Sequence, residues 1–399
     1  MTGRERTLMA FRREQPDRTP FFEKLIKSPI ADLIVGRPSV AHNFVTRMEL
    51  MEAGDWHALV EGEARDLADL VKRLGMDLVE LKTNLHPDFE RPRRTGEWTW
   101  EVSEAIIRHI PGSPWTERIP KRPLSPEEYE ADLIAKLEEP WQPPDPSDDE
   151  FYVFRRVKEL LAADGLEPAI FVPLYAMPVC ALPRPMLEWF LTRPALLHEY
   201  YARQSGWVLE MIPRYIALGA DIIGAGGDLA HDGGPLISPA HYREFVLPQV
   251  REQTRVAHGL GALVTTASDG DLWPLIDDLL IGSGVDGYEE IDFAAGMDLR
   301  RLKARFGERI TFIGNVDERF VLCRGTPEET RAHVNDVIEA GWGNGGHVLM
   351  CSNCIHEDVR AENFRAYMHA YRERFGLGNL PPVFAWEPDR AVLRGYVIR

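Results

Sequence analysis

The sequence predicts an α/β protein built as one closed (β/α)8 barrel, the TIM-barrel architecture. Two features of the chain lead to this prediction. Apolar, β-branched runs that end in polar residues recur eight times along the 399 residues, and amphipathic helix patterns lie between most of them. Nearly continuous apolar strands alternating with helices are typical of a parallel sheet that is buried on both faces. Eight such units favour a closed barrel over an open, doubly wound sheet.

The predicted strands are short, and each ends in polar residues. They span residues 19–23, 77–82, 168–175, 221–228, 262–269, 285–292, 309–317 and 346–353. Helix patterns cover 185–219 and 326–341, and the second opens with Thr-Pro-Glu-Glu, which is typical of a helix N-terminus. No GxGxxG or P-loop motif follows a strand, which argues against a nucleotide-binding sheet.

Residues 85–150 differ from the rest because they are rich in proline, tryptophan and charged residues. We interpret them as a long insertion after the second strand, within a single barrel domain of residues 1–399. Such an insertion is placed to fold over the barrel mouth as a lid, with a surface loop of no specific role as the alternative.

Composition limits the classes of partner. The net charge is −17, so a nucleic-acid surface is not expected, and small molecules or a protein partner are favoured. No run of 18 apolar residues occurs, and the N-terminus is charged where a signal peptide is apolar, so we expect a soluble cytoplasmic protein without a membrane segment. Four cysteines in a chain of this length indicate reduced thiols.

Polar side chains at the carboxyl ends of the strands are the candidate site, because barrel active sites form there. Asp228, Asp269 and Glu289 are the candidate acid–base groups, since crowded carboxylates can have a pKa near working pH. Candidate substrate-binding residues are Glu23, Tyr175, His231, Asn315, Asp317, Cys351 and Asn353. For any of these residues, capping the following helix is the alternative.

Asp228 is the strongest of these candidates because it lies within the sequence GAGGDLAHDGG. Glycine is unfavourable in a strand without a reason, and we expect the glycines here to let the backbone approach a ligand closely.

The sequence CSNCIH at 351–356 leaves several interpretations open. A haem-attachment motif is excluded because Ile355 separates Cys354 from His356. A redox pair, a zinc site using Cys351, Cys354 and His356, and two buried thiols remain, and buried thiols are favoured. We therefore assign no metal ligands and leave zinc open.

Four segments together resemble the uroporphyrinogen decarboxylase superfamily. They are RERTLMAFRREQPDRTPFFE near the start, GGPLISPAHYREFVLPQV at 233–250, FIGNVDERFVLCRGTPEET at 312–330 and GGHVLMCSNCIHEDVRAENFRAYMHAY at 345–371. The resemblance covers nearly the whole chain and implies a (β/α)8 barrel. The superfamily includes the haem-pathway decarboxylase and cobamide-dependent methyltransferases.

The chain departs from both of these groups at their functional motifs. The decarboxylase has an arginine-rich N-terminal stretch that binds carboxylates, and here that place reads FFEKLIKSP, with Lys24 and Lys27 but no arginine. The zinc ligands of the zinc methyltransferases match Ala267, Asp269 and Asn353. The sequence is more similar to a branch with Ser-Asp-Gly at strand 5 and Ser-Asn at strand 8.

That branch is often found as the demethylating subunit beside corrinoid proteins. The resemblance therefore implies an O-demethylase type of methyltransferase, which moves a methyl group from a small methoxylated or N-methylated substrate to the cobalamin of a partner corrinoid protein. Asp228, Asp269 or Glu289 would supply a proton, and Asn315, Asp317 and Asn353 would orient the substrate. The alternatives are a decarboxylase and a non-catalytic ligand-binding barrel.

Overall fold

The computed structural model describes residues 1–111 and 116–388, together with two short strands near the C-terminus. The strands are β1 (Leu78–Glu80), β2 (Arg93–Gly96), β3 (Thr99–Val102), β4 (Ala105–His109), β5 (Thr116–Pro120), β6 (Ala169–Pro173), β7 (Ile222–Gly226), β8 (Ala230–His231), β9 (Gly234–Pro235), β10 (Leu263–Ala267), β11 (Gly287–Glu289), β12 (Thr311–Ile313), β13 (His347–Val348), β14 (Val392–Leu393) and β15 (Tyr396–Val397).

The α-helices are α1 (Gly3–Phe11), α2 (Ile30–Val35), α3 (Phe44–Ala53), α4 (Trp56–Leu74), α5 (Pro126–Glu138), α6 (Tyr152–Ala163), α7 (Arg184–Thr192), α8 (Pro194–Ala217), α9 (Pro239–His241), α10 (Leu247–Gly259), α11 (Leu299–Phe306), α12 (Pro327–Gly341) and α13 (Ala361–Arg374). A 3-10 helix spans Asp148–Phe151, and π-helical turns span Tyr242–Val246, Asp278–Gly282 and Glu318–Leu322. Within the described ranges, no helix is both long and apolar enough to cross a membrane.

A parallel sheet of seven strands forms the centre of the fold, in the order β1-β6-β7-β10-β11-β12-β13. Its strands are apolar and buried, as sequence periodicity predicts for a sheet covered by helices on its outer face. The predicted α/β class with a parallel sheet is confirmed, and each of these seven strands lies within a predicted one.

The segment around Phe21 joins the two edges of this sheet. The Phe22 amide donates to the Leu349 carbonyl (3.0 Å), next to β13, and the Asp77 amide, next to β1, donates to the Phe21 carbonyl (2.8 Å). These bonds close the sheet into a ring. A regular strand was predicted over 19–23, but only a single bridge at Phe21 forms, since Pro20 has no amide hydrogen to contribute to a ladder.

Two helix predictions have different outcomes. The Thr326 hydroxyl accepts from the Glu329 amide (3.2 Å), and the Glu329 carboxylate accepts from the Thr326 amide (2.8 Å), so α12 begins with the expected capping box. The predicted helix over 185–219 is instead two helices, α7 and α8. The break falls at Arg193, because a residue that precedes a proline disfavours the helical conformation.

Between β1 and α6, strands β2 to β5 form an antiparallel sheet that packs on α3. Trp100 is fully buried between this sheet and α3, where it contacts Val45 and Met48, and its ring meets the Phe44 ring edge-on at 5.7 Å. Residues 112–115 of the predicted insertion lie outside the described residues. The 85–150 segment thus has its own small sheet, and its role as a lid stays a prediction.

Candidate active site

Three carboxylates meet at the carboxyl ends of neighbouring strands. Asp228 follows β7, Asp269 follows β10 and Glu290 follows β11, and one carboxylate oxygen from each lies within 4.8 Å of those of the other two. We call this set the carboxylate cluster. Adjacent parallel strands bring their ends together, which explains why residues distant in sequence meet here.

Glu290 replaces the predicted Glu289 as the third member of the cluster. Both glutamate side chains lie near Lys24, and it is Glu290 whose carboxylate oxygen joins the cluster. Glu290 has a left-handed backbone conformation with φ of 59°, which is unusual for a residue other than glycine and marks the end of the strand. This local departure from strand geometry is not visible in the amino-acid pattern.

Lys24 provides the positive charge beside the cluster. Its ammonium group contacts a carboxylate oxygen of Glu290 and lies 3.9 Å from Oε2 of Glu289. It also lies 5.9 Å from the centre of the Tyr175 ring. One ammonium group therefore faces two glutamates and sits against an aromatic face, in a position where its side chain is only 13% exposed.

Asp269 has a strongly perturbed pKa. Burial and the nearby charges of Asp228 and Asp292 together raise the pKa of its carboxyl to about 7, and Lys24 partly opposes this rise. The Asn353 side-chain amide donates to Oδ2 of Asp269 at 2.6 Å. A carboxyl group with a pKa near neutrality can both release and accept a proton at working pH.

Glu289 lies deeper in the barrel, in a network of its own. Its Oε1 accepts from the Thr265 hydroxyl (2.8 Å) and from the Tyr175 hydroxyl. Burial raises the pKa of the Glu289 carboxyl, and burial next to that carboxylate raises the pKa of Tyr175 well above its usual range. Tyr175 therefore stays protonated and holds Glu289 in place.

Glu23 and Cys351 form a second buried group. Oε1 of Glu23 accepts from the Cys351 amide (2.9 Å) and from the Tyr367 hydroxyl (2.7 Å). Burial raises the pKa of the Glu23 carboxyl to about 7 and that of the Cys351 thiol well above its usual range. Cys354 is also a free, buried thiol, and burial raises its pKa to about 11. These thiols are therefore protonated at neutral pH and are poor nucleophiles.

The other predicted substrate-binding residues have local partners. The Asn315 side-chain amide donates to the Met297 carbonyl (3.1 Å), and the Asp317 carboxylate accepts from the Phe320 amide (3.1 Å), as a helix cap does. His231 is exposed and accepts from the Gly233 amide at 2.9 Å. Their proposed substrate contacts stay predictions.

Packing within the protein requires the glycines before Asp228, and the expected close approach of a ligand stays a prediction. A Cβ on Gly227 would lie 2.8 Å from the Pro178 backbone nitrogen, and Gly226 has φ of 89° with Thr266 close by. The chain needs glycine here because protein atoms fill the space.

A cavity of about 320 Å³ is lined in part by Lys24, the lysine that contacts Glu290 of the carboxylate cluster. Its wall includes His42, Arg47 of α3, Glu63 of α4, and Glu80 and Lys82 from the end of β1. Burial and the nearby cations Lys82, Arg47 and Lys27 lower the pKa of His42 to about 3, so its ring is neutral. Sequence reasoning missed His42 and Arg47, since no motif marks them and only the packing of α3 brings them to the strand ends.

The carboxylate cluster does not suit zinc. Zinc sites in proteins use mainly cysteine and histidine, whereas three carboxylates match the oxygen ligands of a hard cation such as magnesium or calcium. The zinc site that the sequence left open uses Cys351, Cys354 and His356, which are not part of this cluster, and it stays a prediction.

The fold and the site define an α/β barrel with carboxylate groups at its strand ends, and the sequence comparisons show which family part of the chain resembles. Residues 182–374 match the family model described as uroporphyrinogen decarboxylase (URO-D). The chain is 28% identical over 190 residues to the uroporphyrinogen decarboxylase of Psychromonas ingrahamii, and 29% identical over 186 residues to that of Actinobacillus succinogenes. Each match covers 45% of this chain and 49% of the relative, so the chain spans about half the length of these curated relatives. The predicted resemblance to this family is confirmed.

A solved structure extends the likeness in fold to almost the whole chain. A methyltransferase from Methanosarcina mazei aligns over 94% of this chain and 99% of its own, with a TM-score of 0.58 and 16% sequence identity. At this identity the match shows a common fold.

Proposed function

We propose that this protein is a methyltransferase of the uroporphyrinogen decarboxylase superfamily, which takes a methyl group from a small methoxylated or N-methylated substrate and passes it to a partner corrinoid protein. The observation that carries the proposal is Asp269, a carboxyl group with a pKa near 7 at the open ends of the barrel strands. The common fold with a methyltransferase supports it. The curated relatives carry the name of a decarboxylase, so the choice between the two activities rests on the site.

The site can protonate a leaving oxygen. Breaking a methyl ether leaves an alkoxide or phenolate, which departs readily only when it receives a proton. Asp269 would donate that proton, and the Asn353 amide would then stabilise the aspartate that remains. When bound, the corrinoid of the partner protein would supply the nucleophile that accepts the methyl group.

Asp228 and Glu290 have supporting roles in this proposal. The charge of Asp228 helps to keep a proton on Asp269, because two ionised carboxylates at this spacing repel one another, and Glu290 places Lys24 beside the cluster. Lys24 opposes this rise in the pKa of Asp269. The Asp269 carboxyl therefore remains acidic enough to transfer its proton. Tyr175 and Glu289 would hold the Lys24 ammonium group in position from deeper inside the barrel. The 85–150 segment would serve as the lid or as the docking surface for the corrinoid protein.

Methyl transfer to an added corrinoid protein, followed by the change in cobalamin absorbance, tests this proposal. The wild-type rate should fall as pH rises through about 7, because the acid form of Asp269 is lost. Asp269→Asn should lower the rate about 100-fold or more. The control Asp277→Asn, at a carboxylate whose side chain is 67% exposed and lies outside the 85–150 segment, should leave the rate unchanged. A parental rate and pH profile in Asp269→Asn would refute the role of Asp269.

Decarboxylation is the second candidate, and the family match over residues 182–374 favours it. Lys24, Arg47 and Lys82 around the cavity could bind substrate carboxylates, although lysine is a poorer partner than the forked arginine side chain. Turnover of uroporphyrinogen without any corrinoid protein would establish this activity. The non-catalytic barrel would be supported only if neither reaction occurred while ligand binding was retained.

A further inference from the structure

Three charged side chains outside the carboxylate cluster join three of the loops at the strand ends. Nη1 of Arg319, in the π-helical turn after β12, donates to both carboxylate oxygens of Asp232 at 3.0 and 2.9 Å. Its Nη2 donates to both oxygens of Asp292, which follows β11, at 2.8 and 3.0 Å. Asp232 lies between β8 and β9, in the hairpin that follows β7. We call these three residues the loop clamp.

The loop clamp differs from an ordinary surface ion pair. Each terminal nitrogen of one guanidinium group contacts both oxygens of one carboxylate, and charge-assisted contacts of this kind fix the relative orientation of their partners. The side chains of Arg319 and Asp292 are 33% and 10% exposed. Isolated ion pairs in full contact with water contribute little, whereas a partly buried network of several charges holds its members in place.

The loop that carries Asp269 lies between the two loops that Arg319 binds, because β10 lies between β7 and β11 in the sheet. The Gly270 amide donates to Oδ2 of Asp292 at 3.1 Å, and the Asp271 amide donates to a backbone carbonyl of the hairpin at 3.0 Å. The residues after Asp269 are therefore bonded to a loop on each side. Asp292 is also close enough to Asp269 for its charge to raise the pKa of that carboxyl.

A further hydrogen bond connects the two aspartates of the carboxylate cluster to the same arrangement. The Leu229 amide donates to the Ser268 hydroxyl at 2.9 Å. Leu229 follows Asp228, and Ser268 precedes Asp269, so the backbone segments of the two aspartates are joined directly. The segments that carry these two acidic groups thus depend on the loops that the clamp holds together.

We propose that Arg319 is a positioning residue for Asp269. By joining the hairpin after β7 to the loop after β11, it fixes the loop between them, so that the Asp269 carboxyl keeps its place in the carboxylate cluster. This inference rests on the proposed function, because it concerns the group that donates the proton there. Proton transfer needs donor and acceptor at hydrogen-bonding distance, and a small displacement of the donor lowers the rate strongly.

Methyl transfer by Arg319 variants tests the inference, with 2-methoxyphenol or another methoxylated compound that the wild type demethylates as the donor. Arg319→Met should lower kcat about tenfold or more and leave KM close to the wild-type value, because a displaced acid affects the chemical step. Arg319→Lys keeps the charge but lacks the planar guanidinium group, so its kcat should lie between those of Arg319→Met and the wild type. In an Asp269→Asn background, Arg319→Met should cause no further loss, because no acid is left to position.

Hydrogen–deuterium exchange on the purified protein, without methyl donor or corrinoid protein, provides an independent test. The amides of Leu229, Gly270 and Asp271 should exchange about tenfold faster or more in Arg319→Met, because the loops open more easily once the charge-assisted bonds are lost. The amides of β7 and β10 should exchange as in the wild type, which establishes that the barrel is folded.

Arg300→Met is the matched control. Arg300 of α11 also binds both oxygens of a carboxylate, that of Asp336 on α12, through its two terminal nitrogens at 2.9 and 2.7 Å. This variant should have the wild-type kcat and the wild-type exchange at the three loop amides. A wild-type kcat in Arg319→Met, an equal loss in the Asp269→Asn background, or unchanged exchange at the loop amides would each overturn the inference.

The two measurements separate this inference from the proposed function. If the wild type transfers methyl groups and Arg319→Met retains the wild-type kcat, the methyltransferase proposal stands and the role of Arg319 is wrong. If Arg319→Met accelerates exchange at the loop amides but the wild type turns over no methyl donor, the loop clamp stands and the methyltransferase proposal fails.

Discussion

Replacing Asp269 by asparagine should stabilise the protein at neutral and higher pH. Burial and the neighbouring charges raise the pKa of the carboxyl from its ordinary value of 3.8 to about 7. At 1.36 kcal/mol per pKa unit, this shift corresponds to about 4 kcal/mol. The ionised carboxylate therefore destabilises the folded state by about that amount, and an asparagine side chain of similar shape does not.

The sign of the effect fixes its pH dependence. The folded protein holds the Asp269 proton more tightly than the unfolded chain does, so wild-type stability falls as pH rises from about 4 to about 7. Asp269→Asn has no such proton. Its stability relative to wild type should therefore increase over this interval by up to about 4 kcal/mol and stay constant above it.

Urea unfolding followed by circular dichroism at about pH 5 and about pH 8 measures this difference. Other titrating groups, including Glu23, occur in both proteins, so their contributions largely cancel in the comparison. Asp277→Asn, at an exposed carboxylate, is the matched control, and its stability relative to wild type should be the same at both pH values. A stability difference for Asp269→Asn that does not change with pH would show that the Asp269 carboxyl is not perturbed.

Two further predictions concern the insertion and Lys24. Trp100→Ala should lower the free energy of unfolding by about 3–5 kcal/mol, since it empties the contact between the antiparallel sheet and α3, and urea unfolding would measure this change. An unchanged unfolding midpoint would mean that the sheet does not depend on this contact. Lys24→Met should move the pH limit of methyl transfer to a higher pH, because Lys24 lowers the pKa of Asp269, and the pH–rate profile would report the shift. A profile that moved to lower pH would contradict the assigned effect of Lys24.

The sequence allowed the sheet to be predicted well because each strand is a short apolar run closed by polar residues. The predicted strand over 19–23 does not form a regular ladder, because Pro20 has no amide hydrogen. The hydrogen bonds of Phe21 and Phe22 nevertheless place this segment between the two edges of the sheet. Such closure depends on contacts with residues 77 and 349, which no local pattern reveals.

The positions of the site residues could be predicted where they depend only on the order of the strands in the sheet. Asp228 and Asp269 follow adjacent strands and meet as expected. The choice between Glu289 and Glu290 depends on one backbone conformation at the strand end, and the sequence does not specify it. Arg47 was missed for a different reason, because its position depends on how α3 packs against the rest of the barrel.

The packing of α3 connects the insertion with the cavity. Val45 and Met48 contact Trp100 of the antiparallel sheet, whereas Arg47 lines the cavity. Consecutive helical residues point in different directions, so one short helix can serve both surfaces.

The charges of the site explain why a proton is retained there. If all three members of the carboxylate cluster were ionised, Lys24 would offset only one of the three charges, and a net charge of about −2 would lie in a partly buried position. Holding one proton reduces this to about −1, and Asp269 is the member whose pKa permits it near neutral pH. A second lysine would bring that pKa down, and the loss of Lys24 would raise it. Burial and the cations beside the cluster together set the pH at which the proton can be transferred.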